Sequence, residues 1–220
     1  FFPAHCIIKT GNPVRQNLLN SKITSEQAIQ SFGLDPTKRT ILLLGGSLGA
    51  RTINESVIHH LDLVRNSSVQ FIWQTGRYYS DEIQKRLENE GNLHMLHVSS
   101  FISNMDSAYA AADLVISRAG AGSISEFCLL KKPVILVPSP NVAEDHQTKN
   151  AMALVEKDAA LYVKDAEAVS KLIELAINTV KDTEKLQSLS DHIATLAYTD
   201  SANVIAQEVL KLAEEFRNNK

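Results

Sequence analysis

Cysteine is nearly missing from this chain of 220 residues, which carries two, Cys6 and Cys128, far apart and in no metal-ligand spacing. That excludes a disulfide framework and a thiolate zinc site, and it leaves two reduced thiols of a cytosolic protein as the expectation, with Cys128 buried in a helix. Long apolar runs are missing as well: none approaches the roughly 20 residues that span a bilayer. Phe1–Thr10 has neither the basic start nor the apolar stretch of a signal peptide. No excess of positive charge is present, since 22 Lys and Arg against 25 Asp and Glu give a net charge of −3, so nucleic acid is not an expected partner. There is no H-E-x-x-H, no paired C-x-x-C, no G-x-S-x-G and no lysine closing a glycine loop, which removes zincin, α/β-hydrolase and P-loop readings. The one loose D-x-E, Asp165-Ala166-Glu167, falls at a helix start, so neither a dedicated metal site nor a cofactor is expected. A methionine start is absent too, and the opening FFPAHCIIKTGNPVR reads as the interior of a longer protein.

What is present is an alternation. Short apolar runs at Thr40–Leu44, Val69–Gln74, His94–Val98, Leu114–Ser117, Val134–Val137 and Ala160–Val163 are mostly continuous rather than alternating, as in strands covered on both faces. Between and after them the spacing predicts helices at Ala50–Leu63, Ser80–Glu90, Met105–Ala111, Ser125–Leu130, Asp145–Lys157, Ala166–Thr179, Asp182–Leu196 and Ser201–Phe216. Thr24–Phe32 makes a lead-in helix closed by Gly33 and the Asp35-Pro36 turn. The expected class is therefore α/β, a Rossmann-like doubly wound parallel sheet of about six strands with right-handed crossovers. The last helix carries an apolar stripe of Val204, Ile205, Val209, Leu210, Leu212 and Ala213 that calls for a covering surface, another copy of the chain being one candidate, and Arg217–Lys220 reads as a frayed tail.

The stretch Asp113–Glu126, DLVISRAGAGSISE, carries most of the functional information. A strand breaks into a Gly/Ala turn that opens a helix at or near Ser123, and the first turn of a helix offers unpaired N–H groups and the positive end of its dipole to a phosphate. Glu126, one turn in, suits a pair of vicinal hydroxyls such as those of a ribose. The competing reading is structural: Ser123 and Glu126 also have the spacing of a capping box. A second turn of the same layout, Gly45-Gly46-Ser47-Leu48-Gly49-Ala50, follows the first strand, with Ser47 able to offer a hydroxyl and an N–H. In a doubly wound sheet the first and fourth strands are neighbours, so both turns open at one crevice. A dinucleotide site would need an acid at the end of the second strand, and that strand ends Trp73-Gln74-Thr75-Gly76.

Three further groups join these candidates. Gln147 and Asn150 lie three apart at the start of a helix and can present amides to hydroxyls, while His146 beside them reads as a hydrogen-bonding residue. Ile102, with Phe101 before it and Met105 after it, offers a wall and backbone groups for a flat base, although the residues alone favour packing of Phe101 and Ile102 in the core. Arg15, in Gly11-Asn12-Pro13-Val14-Arg15, can cover a phosphate from outside. A helix start with Ser and Arg can neutralise a leaving diphosphate without a bound cation.

The ordered set GNPVR (Gly11–Arg15), GGSLGAR (Gly45–Arg51), WQTG (Trp73–Gly76), FISNMDSAYAAADLVISRAGAGSISE (Phe101–Glu126) and DHQTKNA (Asp145–Ala151) resembles the carboxy-terminal half of the MurG glycosyltransferases. The resemblance covers essentially the whole chain. It implies one half of a two-domain GT-B enzyme, with residues 1–20 as interdomain linker, 21–198 as the UDP-GlcNAc domain and 199–220 as a C-terminal helix. It implies transfer of N-acetylglucosamine, with inversion, from UDP-GlcNAc to lipid I to give lipid II in peptidoglycan synthesis. By the same resemblance Glu126 would hold the ribose, and the turn and helix start at Ala121, Gly122, Ser123, Ile124 and Ser125 would meet the diphosphate. Gly46, Ser47 and Arg15 would lie at the phosphates, Ile102 would place the uracil through its backbone, and Gln147 would hold GlcNAc hydroxyls. His146, Asn150 and Met105 are further candidates. Leu48, His146 and Ser123 depart from the commoner Gln, Gln and Thr of the family. The resemblance places lipid I binding, the general base and association with the inner face of the cell membrane in an amino-terminal half, and so implies a cytoplasmic chain that binds donor without transferring sugar. A naturally separate donor-binding subunit that works with a membrane partner is the alternative.

Overall fold

The structure, a computed structural model, describes residues 2–91 and 93–218. Six strands, β1 (Thr40–Leu44), β2 (Gln70–Gln74), β3 (Leu96–Ser99), β4 (Leu114–Ser117), β5 (Val134–Leu136) and β6 (Leu161–Tyr162), form one sheet in the order β3-β2-β1-β4-β5-β6. Every pairing is parallel. The expected third strand began at His94, but residues 94–95 form a turn and pairing starts at Leu96.

Before β1 come α1 (Gln16–Leu19) and α2 (Ser25–Ser31), then α3 (Arg51–His59) and α4 (Leu61–Asn66) lead to β2. Beyond β2 lie α5 (Ser80–Leu87), α6 (Met105–Ala111), α7 (Ala121–Leu129), α8 (His146–Val155), α9 (Asp165–Lys181), α10 (Thr183–Ala194) and α11 (Ser201–Asn218). The start of α2 is set by a capping box between Thr24 and Gln27, and its end by Gly33 at φ +71, whose neighbour Leu34 donates back to Ile29. The single helix expected over Ala50–Leu63 is two. His60 leaves the helical region (φ −122), its N–H donates to Val57, and its ring Nδ1 lies 2.9 Å from the Ser56 carbonyl that the next helical bond would use. Of the expected frayed tail, Arg217 and Asn218 continue α11, whereas Asn219 and Lys220 lie outside the described residues.

Strand residues divide by parity. Ile41, Leu43, Phe71, Trp73, Leu114 and Ile116 pack with α3, α4, α5 and α9, whereas Leu42, Leu44, Ile72, Val115, Val134 and Leu136 pack with α2, α6, α7 and α8. Both faces are thus buried, which is why the strands read as continuous apolar runs. Each fully buried large side chain, such as Trp73 or Phe127, contributes about 1.5–3 kcal/mol of transfer free energy. At the amino edge Asp113 accepts from the Thr40 N–H at 2.8 Å and pairs with Arg39 at 2.7 Å, fixing the starts of β1 and β4 together. The stripe on α11 stays outside this core, with Val209, Leu210, Leu212 and Phe216 all exposed. No helix among the described residues is long and apolar enough to cross a membrane.

Candidate functional site

The turn after β1 is locked to the turn after β2. Gly46 and Gly49 have φ of +83° and +96°, a region that side chains disfavour. A Cβ on Gly49 would stand 2.3 Å from the Thr75 carbonyl oxygen, and one on Gly76 would stand 2.1 Å from the Gly49 Cα. Buried Asn54 of α3 reinforces the contact, donating to the Thr75 carbonyl and accepting from the Trp73 indole, both at 2.9 Å. Gln74 then ties two loops together: its Nε2 donates to the Gly46 carbonyl at 3.0 Å and its Oε1 accepts from the Ile102 N–H at 2.9 Å.

The turn after β4 is built differently. Gly120 is the N-cap of α7 with an ordinary extended backbone (φ −71, ψ 138), so the helix opens at Ala121, two residues before Ser123. The capping box is not formed, and Glu126 is engaged elsewhere. In this register the Ile124 N–H already donates to the Gly120 carbonyl at 3.0 Å, leaving those of Ala121, Gly122 and Ser123 as the unpaired first turn. A Cβ on Gly120 or on Gly122 would meet nothing within 4 Å.

Each oxygen of Glu126 has a partner. The buried Tyr109 hydroxyl on α6 donates to Oε2 at 2.7 Å, and Arg15 approaches Oε1 at 3.4 Å. Burial, and after it the Glu126 charge, pushes the Tyr109 pKa far above that of a free phenol, so this hydroxyl remains a donor throughout the physiological range. These groups line a cavity of about 450 Å³ at the carboxyl ends of β1, β2 and β4, where the strand order reverses. Its size is that of a small-molecule pocket.

The structure brings Arg15, Gly46, Ile102, Met105, Ser123, Glu126 and Gln147 around this cavity. Ala121 and Gly122 lie in the first turn of α7 between Gly120 and Ser123, which line the cavity, and the remaining candidates are placed elsewhere. Ser47 is exposed beside it and accepts from the Arg77 N–H through its carbonyl at 3.1 Å. Ile124 and Ser125 line a different cavity on the other side of α7, and the Ser125 hydroxyl bonds the Ala121 carbonyl at 3.0 Å, because one helical turn cannot aim all of its side chains one way. The amides of Gln147 and Asn150 are used on the protein itself. Gln147 Oε1 accepts from the N–H groups of Ala119 (3.2 Å) and Ser139 (2.9 Å), and Asn150 Nδ2 donates to the Ala119 carbonyl at 3.1 Å. His146 opens α8 on an exposed position after Glu144 and Asp145, both left-handed, so α8 starts one residue later than expected.

Sequence reasoning missed Tyr109, Gln74 and Arg118. Arg118 lines the cavity, donates to the carbonyls of Val137 (3.0 Å) and Pro138 (3.2 Å), and pairs with Asp165, which also accepts from Thr52 at 2.9 Å. For Tyr109 a signal existed in its seventeen-residue distance from Glu126 across one β-α unit, but no local pattern joins the two. Among the described residues no group of three or more His, Cys, Asp or Glu side chains is placed to hold a metal ion.

A parallel sheet in this order, with a helix start and a doubly partnered carboxylate on one cavity at the switch point, defines a Rossmann-like domain with a candidate ligand site. Residues 40–208 match the glycosyltransferase family 28 C-terminal domain, and the chain belongs to that family. It is 65% identical over 217 residues to the UDP-N-acetylglucosamine--N-acetylmuramyl-(pentapeptide) pyrophosphoryl-undecaprenol N-acetylglucosamine transferase of Phocaeicola vulgatus, an alignment covering 99% of this chain and 58% of that protein. The protein of the same name from Bacteroides thetaiotaomicron is 61% identical over 97% of this chain and 58% of its own length. The chain thus spans little more than half the length of these relatives. Among solved structures, MurG from Acinetobacter baumannii superposes with a TM-score of 0.72 at 25% identity, over 88% of this chain and 55% of that one. The UDP-GlcNAc 2-epimerase of Neisseria meningitidis, solved with UDP-GlcNAc, shares the fold (TM-score 0.69, 17% identity, 96% of this chain and 57% of that one).

Proposed function

We propose that this chain is the donor-binding part of a transferase that moves N-acetylglucosamine from UDP-GlcNAc onto lipid-linked muramyl-pentapeptide, the reaction named for its Phocaeicola relative. The observation that carries the reading is Glu126, a carboxylate oriented by Tyr109 beside the unpaired first turn of α7. In this reading the ribose hydroxyls donate to Glu126, and the diphosphate accepts from the N–H groups of Ala121, Gly122 and Ser123 near Arg15. The uracil lies against the Ile102 segment. Because the Ile102 N–H is taken by Gln74, the Ile102 carbonyl is the backbone group left for the base edge. Likewise Gln147 has its oxygen engaged, so its Nε2 is the atom that meets a sugar hydroxyl.

Transfer forms a bond between the acceptor oxygen and the anomeric carbon and breaks the bond from that carbon to the β-phosphate oxygen, with inversion. The leaving UDP gains negative charge, which the α7 start and Arg15 stabilise as it develops. The acceptor proton passes to a general base. We assign that base, the lipid acceptor and the contact with the cytoplasmic membrane face to the part of the relatives' length that this chain does not span. Residues 1–20 then act as the linker and 21–198 as the donor domain, and the exposed stripe of 199–220 takes up a surface from that remaining part.

Isothermal titration of UDP-GlcNAc into the 220-residue chain and into Glu126→Ala tests the assignment. Saturable binding that falls by about tenfold or more in the variant is the expected result, about 1.4 kcal/mol. Equal affinities would remove the ribose role.

A further inference from the structure

We propose that Arg15 is a placeholder, standing on Glu126 where the ribose later binds, and that Tyr109 is the positioning residue that keeps Glu126 aimed while the two exchange. The proposal rests on Glu126 taking the ribose hydroxyls. Its ground is the asymmetry of the two contacts. Tyr109 is buried and reaches Oε2 at 2.7 Å, whereas the Arg15 side chain is 56% exposed and reaches Oε1 at 3.4 Å.

An exposed, long ion pair is screened by water and costs little to open, while a short bond from a buried hydroxyl to a charged oxygen is costly to lose. One oxygen of Glu126 is therefore exchangeable and the other is permanent. The exchange also has a destination. Arg15 lies on a segment of irregular backbone held to α7 by Asn12, whose Nδ2 meets the Ser125 hydroxyl at 3.1 Å and the Ala121 carbonyl at 3.4 Å. A guanidinium displaced from Glu126 stays at the mouth of the same cavity as the α7 start, and two positive groups there call for an anion. A diphosphate joined to the ribose supplies it. Nucleoside and diphosphate thus bind as one cooperative unit: the ribose frees the arginine that the phosphates then engage.

The prediction is a reversal of sign. Uridine, UDP and dideoxyuridine, which lacks the ribose hydroxyls, are titrated by NMR into the unmodified chain, Arg15→Ala, Tyr109→Phe and Glu126→Ala. In Arg15→Ala, uridine binds about threefold more tightly because its competitor is gone, while UDP binds about tenfold more weakly. Uridine that weakens or does not change would overturn the placeholder. In Tyr109→Phe, the preference for uridine over dideoxyuridine shrinks toward one with dideoxyuridine affinity unchanged. Equal loss for both nucleosides, or an unchanged preference, would show that Tyr109 only packs. Glu126→Ala separates the two levels, since a preference that survives it overturns the ribose reading itself, whatever the arginine does.

Discussion

The two strand-to-helix turns that open on the cavity both carry glycine, and for different reasons. Between β1 and α3, Gly49 is left-handed and has no room for a Cβ, because the Thr75-Gly76 turn fills that space. Between β4 and α7, Gly120 has an ordinary backbone, and neither it nor Gly122 has a neighbour that a methyl group would touch. Glycine in the first turn answers to the protein. In the second no described atom stands within 4 Å of an added Cβ, which leaves the backbone open to close approach.

The comparison breaks most visibly at Gly76. Its alanine variant must leave a left-handed conformation and displace backbone 2.1 Å away, so stability falls by about 3 kcal/mol or more, read by thermal or urea unfolding. A stability within error of the parent would show that the interlock is soft. Gln74→Ala comes next, because it strips a partner from the Gly46 carbonyl and from the buried Ile102 N–H. The expected cost is about 2 kcal/mol, with weakened UDP-GlcNAc binding alongside.

Gly122→Ala sharpens the other side. A helical glycine replaced in open space gains up to about 1 kcal/mol of stability, while a methyl group at the anion seat lowers UDP-GlcNAc affinity about tenfold. Opposite signs for folding and binding are the signature; a gain in both would place the phosphates elsewhere. The smallest effect is at Cys128, on the α7 of that second turn. Burial raises this thiol from 9.0 to about 11, so at pH 8 iodoacetamide labels exposed Cys6 first and Cys128 slowly, and slower still with donor bound. Its contribution to stability is constant below pH 9 and falls as pH rises from there toward 11, because the unfolded chain gives up its proton first. Equal labelling of both thiols would mean that α7 opens readily.

The alternation of strands and helices and the two glycine turns were legible in the sequence, since each depends on residues close together: an apolar run, then glycine, then a helix. The remainder depended on partners that only the fold brings near. The helix start, expected at or near Ser123 with a range of Ser125–Leu130, lies two residues before the first and four before the second, because Ser123 looks like a cap, while Glu126 is engaged by Tyr109 on another helix. Gln147 and Asn150 read as ligands for a sugar, yet their amides answer first to Ala119, twenty-eight and thirty-one residues away. Amides near a crevice carry no mark in the sequence that separates holding a loop from holding a substrate. The break at His60 was hidden because apolar spacing runs on through Leu61 and Val64, both buried on the same face as Ile53 and Val57.

Gln74 has a bearing on heat as well as on shape. Through one carboxamide the segment that follows β1 and the segment that follows β3 are tied to each other at the end of the cavity that they line. If the proposed nucleotide binds there, that tie lowers the entropy cost of ordering the loops around its base. On the Arg15 side the ties are its ion pair with Glu126, the Asn12 amide and the Arg15 carbonyl, which accepts from the Leu18 N–H at 3.1 Å, and none of them joins two loops of the cavity. Calorimetry should therefore find the two ends of the ligand unlike: a base end whose binding entropy Gln74→Ala makes more unfavourable, and a phosphate end whose entropy that substitution leaves alone.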